Sequence, residues 1–266
     1  MLSIIVSTYK PENFKALEDN ISETAGIPFE IIKIENPGKM SLCEAYNTGA
    51  AKARFENLLF LHDDIAFKKE NWGNLLIEHL KDSETGVIGI AGSRYVPTAP
   101  SGWFIEKDEK ENACGKLTAI ALDGVFMSCT KTKFSSVNFN ESQIKGFHGY
   151  DYDFSLRMAK KYQNYIIKDI PVEHFSNGNP DQLFLDNHIK IRLNLGSDFK
   201  HPIKSDIEKK AFIRFLKMYF TYYPVNLRNL WFTLRFFPFK KAHLHHQFEM
   251  VKTYLHILKY RKNLHD

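Results

Sequence analysis

Cysteine is scarce in this sequence, and its scarcity excludes two classes of small protein. Cys43, Cys114 and Cys129 are the three cysteines among 266 residues, and they lie far apart in the chain. Disulfide-stapled secreted domains and thiolate zinc modules carry more cysteines at short, regular spacings. We therefore expect a protein of a reducing compartment.

Long hydrophobic runs are missing as well. No stretch approaches the roughly 18 apolar residues that a membrane span requires. Residues 1–6 lack the basic start, the long apolar stretch and the cleavage site of a secretory signal. The composition, 44% hydrophobic and 25% charged, is that of an ordinary folded protein. We expect a cytoplasmic protein.

Acidic residues are sparse in the last quarter of the chain. Residues 200–266 contain 14 Lys and Arg against 4 Asp and Glu, a net charge of +10, whereas the residues before them carry −5. This asymmetry has two interpretations, a solvated basic face or a surface that meets an anionic partner. We expect no nucleic acid partner, because the aromatic residues of this segment recur at helical spacing.

Aromatic residues accompany the positive charge of this segment: Trp231, Phe232, Phe236, Phe237 and Phe239. Mixed aromatic and cationic side chains suit the headgroup region of an anionic bilayer. We therefore predict peripheral attachment at the inner face of the membrane. The alternative is that these aromatic residues pack against neighbouring helices or against a second subunit of a homodimer.

Strand and helix patterns alternate through the first third of the chain. Predicted strands cover residues 2–7, 29–34, 57–61 and 86–91, and predicted helices between them cover residues 12–25 and 41–54. This alternation predicts an α/β fold with right-handed crossovers and a mostly parallel sheet flanked by helices. A further helix is predicted at residues 150–162.

The final part of the chain has a helical pattern. Predicted helices begin after Ser205 and near residues 226 and 241, so we expect a catalytic domain over residues 1–200 and a helical extension over 201–266. Ser41 with Glu44, and Ser205 with Glu208, have the spacing of helix capping boxes.

Polar side chains follow three of the predicted strands. Thr8 and Tyr9, Glu35, and the triplet His62-Asp63-Asp64 come where a strand ends. Ligands of open α/β sheets bind beyond the carboxyl ends of the strands. Two adjacent acids are tolerated most easily beside a cation, and carboxylate oxygens suit Mg²⁺ or Mn²⁺. The alternative is a pair of helix-capping acids in a surface turn.

The order of these segments resembles a family 2 glycosyltransferase with the Rossmann-like GT-A fold. The resemblance rests on residues 3–9, on Asn47-Thr48-Gly49-Ala50, and on His62-Asp63-Asp64 at the position of the Asp-x-Asp signature. His62 stands in place of the first Asp of that signature. A narrower resemblance, over residues 3–179 and including Trp72, is to a subgroup named after a streptomycin-biosynthesis protein.

The resemblance implies roles for particular residues on the donor side. The nucleotide of a nucleotide-sugar donor would be held by Thr8, Tyr9, Glu35, Asn47 and Asp63. Asp64 would hold the divalent metal, Mn²⁺ or Mg²⁺, with His62 and His174 as further ligands. A structural role for His174 is the alternative.

On the acceptor side, the segment 149–157 is similar to the part of the family that carries the catalytic base. Aligned on Arg157, the base is Asp151. The resemblance gives Asp123, Trp103, Asp153 and Arg157 contacts to the acceptor or the sugar. A carboxylate at a helix N-terminus is stabilised as the anion, so we expect Asp151 to be ionised. The alternative is that Asp151 and Asp153 are only helix-terminal acids.

Together these features predict an inverting glycosyltransferase that moves a sugar from a nucleoside diphosphate to a hydroxyl acceptor, either a glycan or a lipid-linked molecule. Surface polysaccharide or glycoconjugate synthesis is the expected setting. Two alternatives remain. A non-catalytic sugar-nucleotide-binding protein would have the same fold, and a nucleotidyltransferase would need a glycine-rich phosphate loop where Ser7-Thr8-Tyr9-Lys10-Pro11 stands.

Overall fold

The computed structural model describes residues 1–102, 115–176, 178, 180–196, 199 and 201–261. The chain divides into two units, of which the first comprises Met1–Arg94 and Ile105–Asn179 and the second comprises Tyr95–Phe104 and Pro180–Asp266. The predicted domains, a catalytic domain at residues 1–200 and a helical extension at residues 201–266, stay a prediction.

The first unit contains the strands. In chain order they are β1 (Leu2–Thr8), β2 (Phe29–Glu35), β3 (Asn57–Leu61), β4 (Ile65–Phe67), β5 (Thr85–Gly89), β6 (Gly92–Ser93), β7 (Lys116–Ala119), β8 (Ala121–Leu122), β9 (Phe126–Thr130), β10 (Gln163–Ile167) and β11 (Val172–His174). Seven of these described strands form one sheet in the order β2-β1-β3-β9-β5-β10-β7, and two short pairs, β11-β4 and β6-β8, lie outside it.

The large sheet is mostly parallel. Strands β2, β1, β3, β5 and β10 run in one direction, and β9 and β7 run against it. Thr8 at the end of β1 is in register with Glu35 at the end of β2, and Val6 of β1 with Leu61 at the end of β3. The residues that follow these three strands therefore share one edge of the sheet.

Helices of the first unit form where their termini have local support. They are α1 (Pro11–Thr24), α2 (Leu42–Lys52), α3 (Trp72–Leu80), α4 (Lys131–Ser136) and α5 (Tyr150–Ala159). Pro11 occupies the first turn of α1, where its missing N–H costs nothing. The hydroxyl of Ser41 accepts a hydrogen bond from the Glu44 amide at 3.2 Å, which confirms that cap. A Cβ on Gly49 would come within 2.2 Å of the Ile5 side chain, so glycine lets α2 lie close to β1.

The core of this unit lies between the sheet and its helices. Apolar residues of β1 and β3, among them Ile4, Val6 and Leu59, pack with Phe14 of α1 and Trp72 of α3 in one buried cluster. Burial of such side chains contributes roughly 1.5–3 kcal/mol each. This cluster holds the strand ends in place.

The second unit is helical. Its described helices are α6 (Gln182–Leu195), α7 (Ser205–Tyr222), α8 (Leu227–Leu234) and α9 (Leu244–Arg261). Phe212, Phe215 and Leu216 of α7 and Met250 of α9 belong to its own buried cluster. Within the part of the chain that is described, no helix is both long enough and apolar enough to cross a membrane.

The structure bears on two expectations about the C-terminal segment. Phe236 and Phe237 are buried in the helical core, as the packing alternative required, whereas Trp231 and Phe239 are exposed. The predicted capping box at Ser205 is wrong, because α7 begins at Ser205 itself and its hydroxyl bonds to His246 Nδ1 at 2.7 Å. The carboxylate of Glu208 is instead buried against Tyr95 and Thr98.

Candidate active site

Three side chains converge beside the carboxyl end of β3. Ligand atoms of His62, Asp64 and His174 all lie within 4.8 Å of one another. His62 Nδ1 is 3.9 Å and His174 Nε2 is 3.3 Å from Asp64 Oδ1. His62 and Asp64 follow β3 directly. His174 arrives through the antiparallel pairing of β11 with β4, which sets it opposite Ile65.

A buried tyrosine lies behind this cluster. The hydroxyl of Tyr150, the first residue of α5, is 2.8 Å from His62 Nε2. If Nδ1 is to bind a cation, Nε2 must carry the ring proton and donate it to Tyr150. The half-buried surroundings of the ring lower the pKa of His62, although Asp64 opposes this, so the imidazole is favoured in the neutral form that binds metals.

Next to Tyr150, Asp151 and Asp123 form a pair of carboxylates. Asp151 Oδ2 accepts a hydrogen bond from the Gly124 amide at 3.1 Å, and Asp123 Oδ1 accepts one from Val125 at 2.9 Å. Burial, and then the charge of Asp123, raise the pKa of Asp151 to about 7. Burial and a like charge thus outweigh the helix dipole, and less of the Asp151 carboxyl is ionised at neutral pH than the helix N-terminus alone would give.

The end of β1 is tied to the triplet after β3 through Asp63. Its Oδ2 accepts hydrogen bonds from the Thr8 hydroxyl at 2.7 Å and from the Tyr9 amide at 3.3 Å. Glu35, one strand away, is exposed and lies 3.3 Å from Lys33. The predicted nucleotide-binding residues Thr8, Tyr9, Glu35 and Asp63 thus occupy one sheet edge.

A cleft of about 340 Å³ opens beside these residues. Its lining includes Lys10 and Asn13 at the start of α1, Asp63 and Asp64 after β3, and Phe175 and Ser176 after β11. Its volume lies at the lower end of the range of small-molecule sites.

Three other predicted residues make structural contacts. The amide of Asn47 exchanges hydrogen bonds with the backbone of Phe139 at 2.9 and 3.1 Å. Arg157 Nε donates to buried Asp153 at 2.7 Å, one turn apart on α5. These contacts do not include the candidate metal ligands His62, Asp64 and His174, and the predicted roles in nucleotide and acceptor binding stay predictions. Trp103 lies outside the described residues.

Sequence reasoning missed the role of Tyr150. Its hydroxyl contacts a candidate metal ligand, His62. Its position directly before Asp151 was visible, but the contact joins residues 88 apart in the chain. No local pattern indicates such a pairing.

Comparison with known families identifies the family of this chain. Residues 3–179 match the family described as "Glycosyltransferase like family". The chain belongs to this family. A search of curated proteins found no match.

Solved glycosyltransferase structures are similar in fold. GalNAc-T7 with UDP, GalNAc and Mn²⁺ aligns with a TM-score of 0.57 at 13% identity, over 73% of this chain and 48% of that one. TarS from S. aureus aligns with a TM-score of 0.55 at 13% identity, over 98% and 54%. The chain spans about half the length of both structures.

A third structure is covered more fully. The mannosyltransferase PcManGT from Pyrobaculum calidifontis, in complex with GDP-Man and Mn²⁺, aligns with a TM-score of 0.50 at 12% identity, over 97% of this chain and 80% of that one. Likeness at such identities shows the fold. The chain has a mixed α/β fold with a large, mostly parallel sheet flanked by helices, as in GT-A glycosyltransferases, and this confirms the predicted class.

Proposed function

We propose that this member of the family is a metal-dependent inverting glycosyltransferase that moves a sugar from a nucleoside diphosphate to a hydroxyl acceptor. The observation that carries the proposal is a hydrogen bond that joins the candidate metal ligands to the helix of the candidate base. His62, Asp64 and His174 form a three-ligand cluster, and Tyr150 links it to the helix that begins with Asp151.

The donor set fits a divalent transition metal. Two imidazoles and one carboxylate suit Mn²⁺ better than Mg²⁺, which prefers oxygen ligands alone. His62 has the outer partner that orients a metal-binding imidazole, namely Tyr150. Bound there, the metal would neutralise charge on the diphosphate leaving group.

The donor nucleotide is proposed to lie along the ends of β1 and β2. Thr8, Tyr9 and Glu35 line that edge, and Asp63 fixes the end of β1 through two hydrogen bonds. Lys10, in the adjoining cleft, places a cation near the predicted position of the phosphates. GDP-Man and UDP are bound in two of the similar structures, and a nucleotide-sugar donor is proposed for this chain by analogy.

Asp151 is proposed as the base. Its carboxylate takes the proton of the acceptor hydroxyl, the hydroxyl oxygen forms a bond to the anomeric carbon, and the bond from that carbon to the diphosphate oxygen breaks. One displacement inverts the anomeric configuration. Asp123 is near enough to raise the pKa of Asp151, and a base with a pKa near 7 is matched to neutral pH.

Finer assignments belong to the same proposal. They are membership of the streptomycin-biosynthesis-like subgroup, a hexose as the sugar, and a role in surface polysaccharide or glycoconjugate synthesis. The triplet His62-Asp63-Asp64 with Trp72 supports the subgroup. Association of two copies into a homodimer is left to solution measurements.

The test is to incubate the protein with Mn²⁺ and a panel of sugar nucleotides and to measure the release of nucleoside diphosphate. Asp64→Asn is expected to weaken metal-dependent nucleotide binding, because the variant loses the anionic ligand. Asp151→Asn is expected to lower transfer by about 10²–10⁴-fold while nucleotide affinity changes little. Asp19→Asn, on the exposed face of α1, is the matched control and should behave as wild type.

Each result has a definite meaning. Transfer by Asp151→Asn at the wild-type rate would leave Asp151 a helix-terminal acid. Binding of a sugar nucleotide without any turnover would favour the non-catalytic binding protein.

A further inference from the structure

Helix α9 carries a second apolar face that points to solvent. Leu244, Phe248, Val251 and Leu255 are 73%, 67%, 44% and 57% exposed, and half-buried Leu258 continues the series. At 100° per residue these five side chains fall within an arc of about 80°. Such a stripe of large apolar groups, all on one side of a helix, is unusual for a surface that meets only water.

This stripe is not the face by which α9 packs. Met250 and Ile257 are buried in the core of the helical unit, and His246 is buried against Ser205. Their positions on the helix lie roughly opposite the exposed stripe. The fold is therefore anchored through one face of α9 and leaves the other for a partner.

The spacing of the stripe would fit a coiled coil, but its flanks do not. Spacings of four and three residues alternate along it, as in a heptad seam. The flanking positions on one side are His245, Lys252 and Lys259, and Gln247 and Tyr254 lie on the other. In a dimer of two such helices these cations would face cations or neutral groups. The acidic residues that form salt bridges beside the seam of a coiled coil are missing from the flanks.

The flanks do complement an anionic plane. Lys252 and Lys259 are exposed and border the apolar arc, so their long side chains can reach a charged layer while the stripe enters an apolar one. The nearest acid on the helix, Glu249, is bound to Lys209 at 2.8 Å. Exposed Phe239 precedes the helix in a segment that also carries Lys240 and Lys241.

We propose that the outer face of α9 binds the surface of a bilayer that contains anionic lipids, with the helix parallel to the plane. An amphipathic helix with apolar residues flanked by lysines lies at the boundary between headgroups and acyl chains. This assigns the membrane contact to residues 244–259. The aromatic residues between Trp231 and Phe239, of which Phe236 and Phe237 are buried in the core, are not the centre of the contact.

The experiment is flotation of the whole chain with vesicles, in the absence of donor and metal. Binding is expected to vesicles of phosphatidylglycerol and phosphatidylcholine, but not to phosphatidylcholine alone, and salt should weaken it. Phe248→Glu should lower the partition coefficient roughly tenfold or more, since it removes apolar burial and adds repulsion. The double variant Lys252→Glu, Lys259→Glu should lower it by a similar factor.

Matched controls separate this face from general electrostatics and from misfolding. Leu227→Glu changes an apolar residue that is 75% exposed on α8, and Lys52→Glu with Lys69→Glu makes the same change in net charge on the first unit. Both should bind vesicles as wild type does. Equal losses in these controls, or no binding to anionic vesicles at low salt, would overturn the proposal.

A dimer is the competing occupant. Light scattering of wild type and Phe248→Glu is expected to give the same mass for both. A wild-type dimer that Phe248→Glu converts to a monomer would show that a second copy covers the stripe. Because neither measurement involves turnover, failure here leaves the proposed reaction untouched.

Discussion

Two physical effects act in opposite directions on Asp151. The N-terminus of α5 and three backbone amides stabilise its anion, whereas burial and Asp123 destabilise it. The second pair is stronger, and the pKa of the carboxyl rises to about 7. A group poised in this way changes its charge within the physiological range.

The first consequence concerns the pH dependence of activity. Transfer should increase as the pH rises through about 7, because only the ionised carboxyl accepts a proton. The residual activity of Asp151→Asn should lack this step. A kcat profile from pH 5 to 9 checks this, and a wild-type profile that is flat through neutrality would contradict it.

The protonation of Asp151 should also affect the stability of the protein. The folded pKa of Asp151 is raised, so between about pH 4 and 7 the folded state holds a proton that the unfolded chain has released. The free energy of unfolding should therefore fall as the pH rises through this window, by on the order of 1–4 kcal/mol. Asp151→Asn should remove that contribution. Denaturant titrations of both proteins at pH 5 and pH 8 measure the difference.

At the scale of elements, the turn between β8 and β9 holds α5 in place. A Cβ on Gly124 would come within 2.0 Å of the Tyr150 hydroxyl oxygen and 3.0 Å of Asp151 Cβ. The amide of the same glycine donates to Asp151. Because Gly124 has no side chain, the candidate base Asp151 and the His62 partner Tyr150 can both lie against this turn.

Gly124→Ala is expected to displace Tyr150 and so to disturb both functions at once. Mn²⁺ affinity should fall by about tenfold or more, as for loss of an outer partner of a metal ligand, and unfolding should be easier by roughly 1–3 kcal/mol. Calorimetric titration with Mn²⁺ measures the first effect. Gly178→Ala is the control, because a Cβ there meets nothing within 4 Å. Unchanged Mn²⁺ affinity in Gly124→Ala would show that Tyr150 does not position His62.

Local signals explain which parts of the site could be predicted. Thr8, Asp63 and Asp64 follow strands whose apolar patterns are plain, and parallel strands bring their ends together. The contacts of Tyr150 and of Glu208 could not be found in this way. Each joins residues 88 or more apart in sequence, and the Glu208 position even has the spacing of a cap that does not form.

At the scale of the whole chain, the alternation of strands and helices predicted the sheet. The order of the later strands in the sheet could not be predicted from the sequence. Residues 116–130 contain three short strands, β7, β8 and β9. Short buried strands carry no periodicity, and their pairing depends on distant partners. Helix α6 was also missed. It begins at a cap made by Asp181, whose carboxylate accepts from the Phe184 amide at 2.8 Å.

Each unit has a buried apolar cluster of its own, so we expect the units to respond separately to a perturbation. A ligand of the first unit raises that unit's stability by mass action, by about 2.7 kcal/mol at a hundred times its Kd. For a unit of this size the corresponding rise in Tm is about 5–10 °C. In the second unit, Glu208 is buried and accepts hydrogen bonds from Tyr95 and from the Thr98 amide.

Scanning calorimetry should therefore separate two effects. Mn²⁺ with the best-binding nucleoside diphosphate should raise one transition in wild type, and this rise should be lost in Asp64→Asn, which lacks the anionic ligand. Glu208→Gln should lower the other transition by a few degrees, since a buried amide N–H₂ replaces an acceptor of the Thr98 amide. If both changes move one and the same transition, the units unfold together. If the nucleotide shifts Asp64→Asn as much as wild type, Asp64 does not hold the metal.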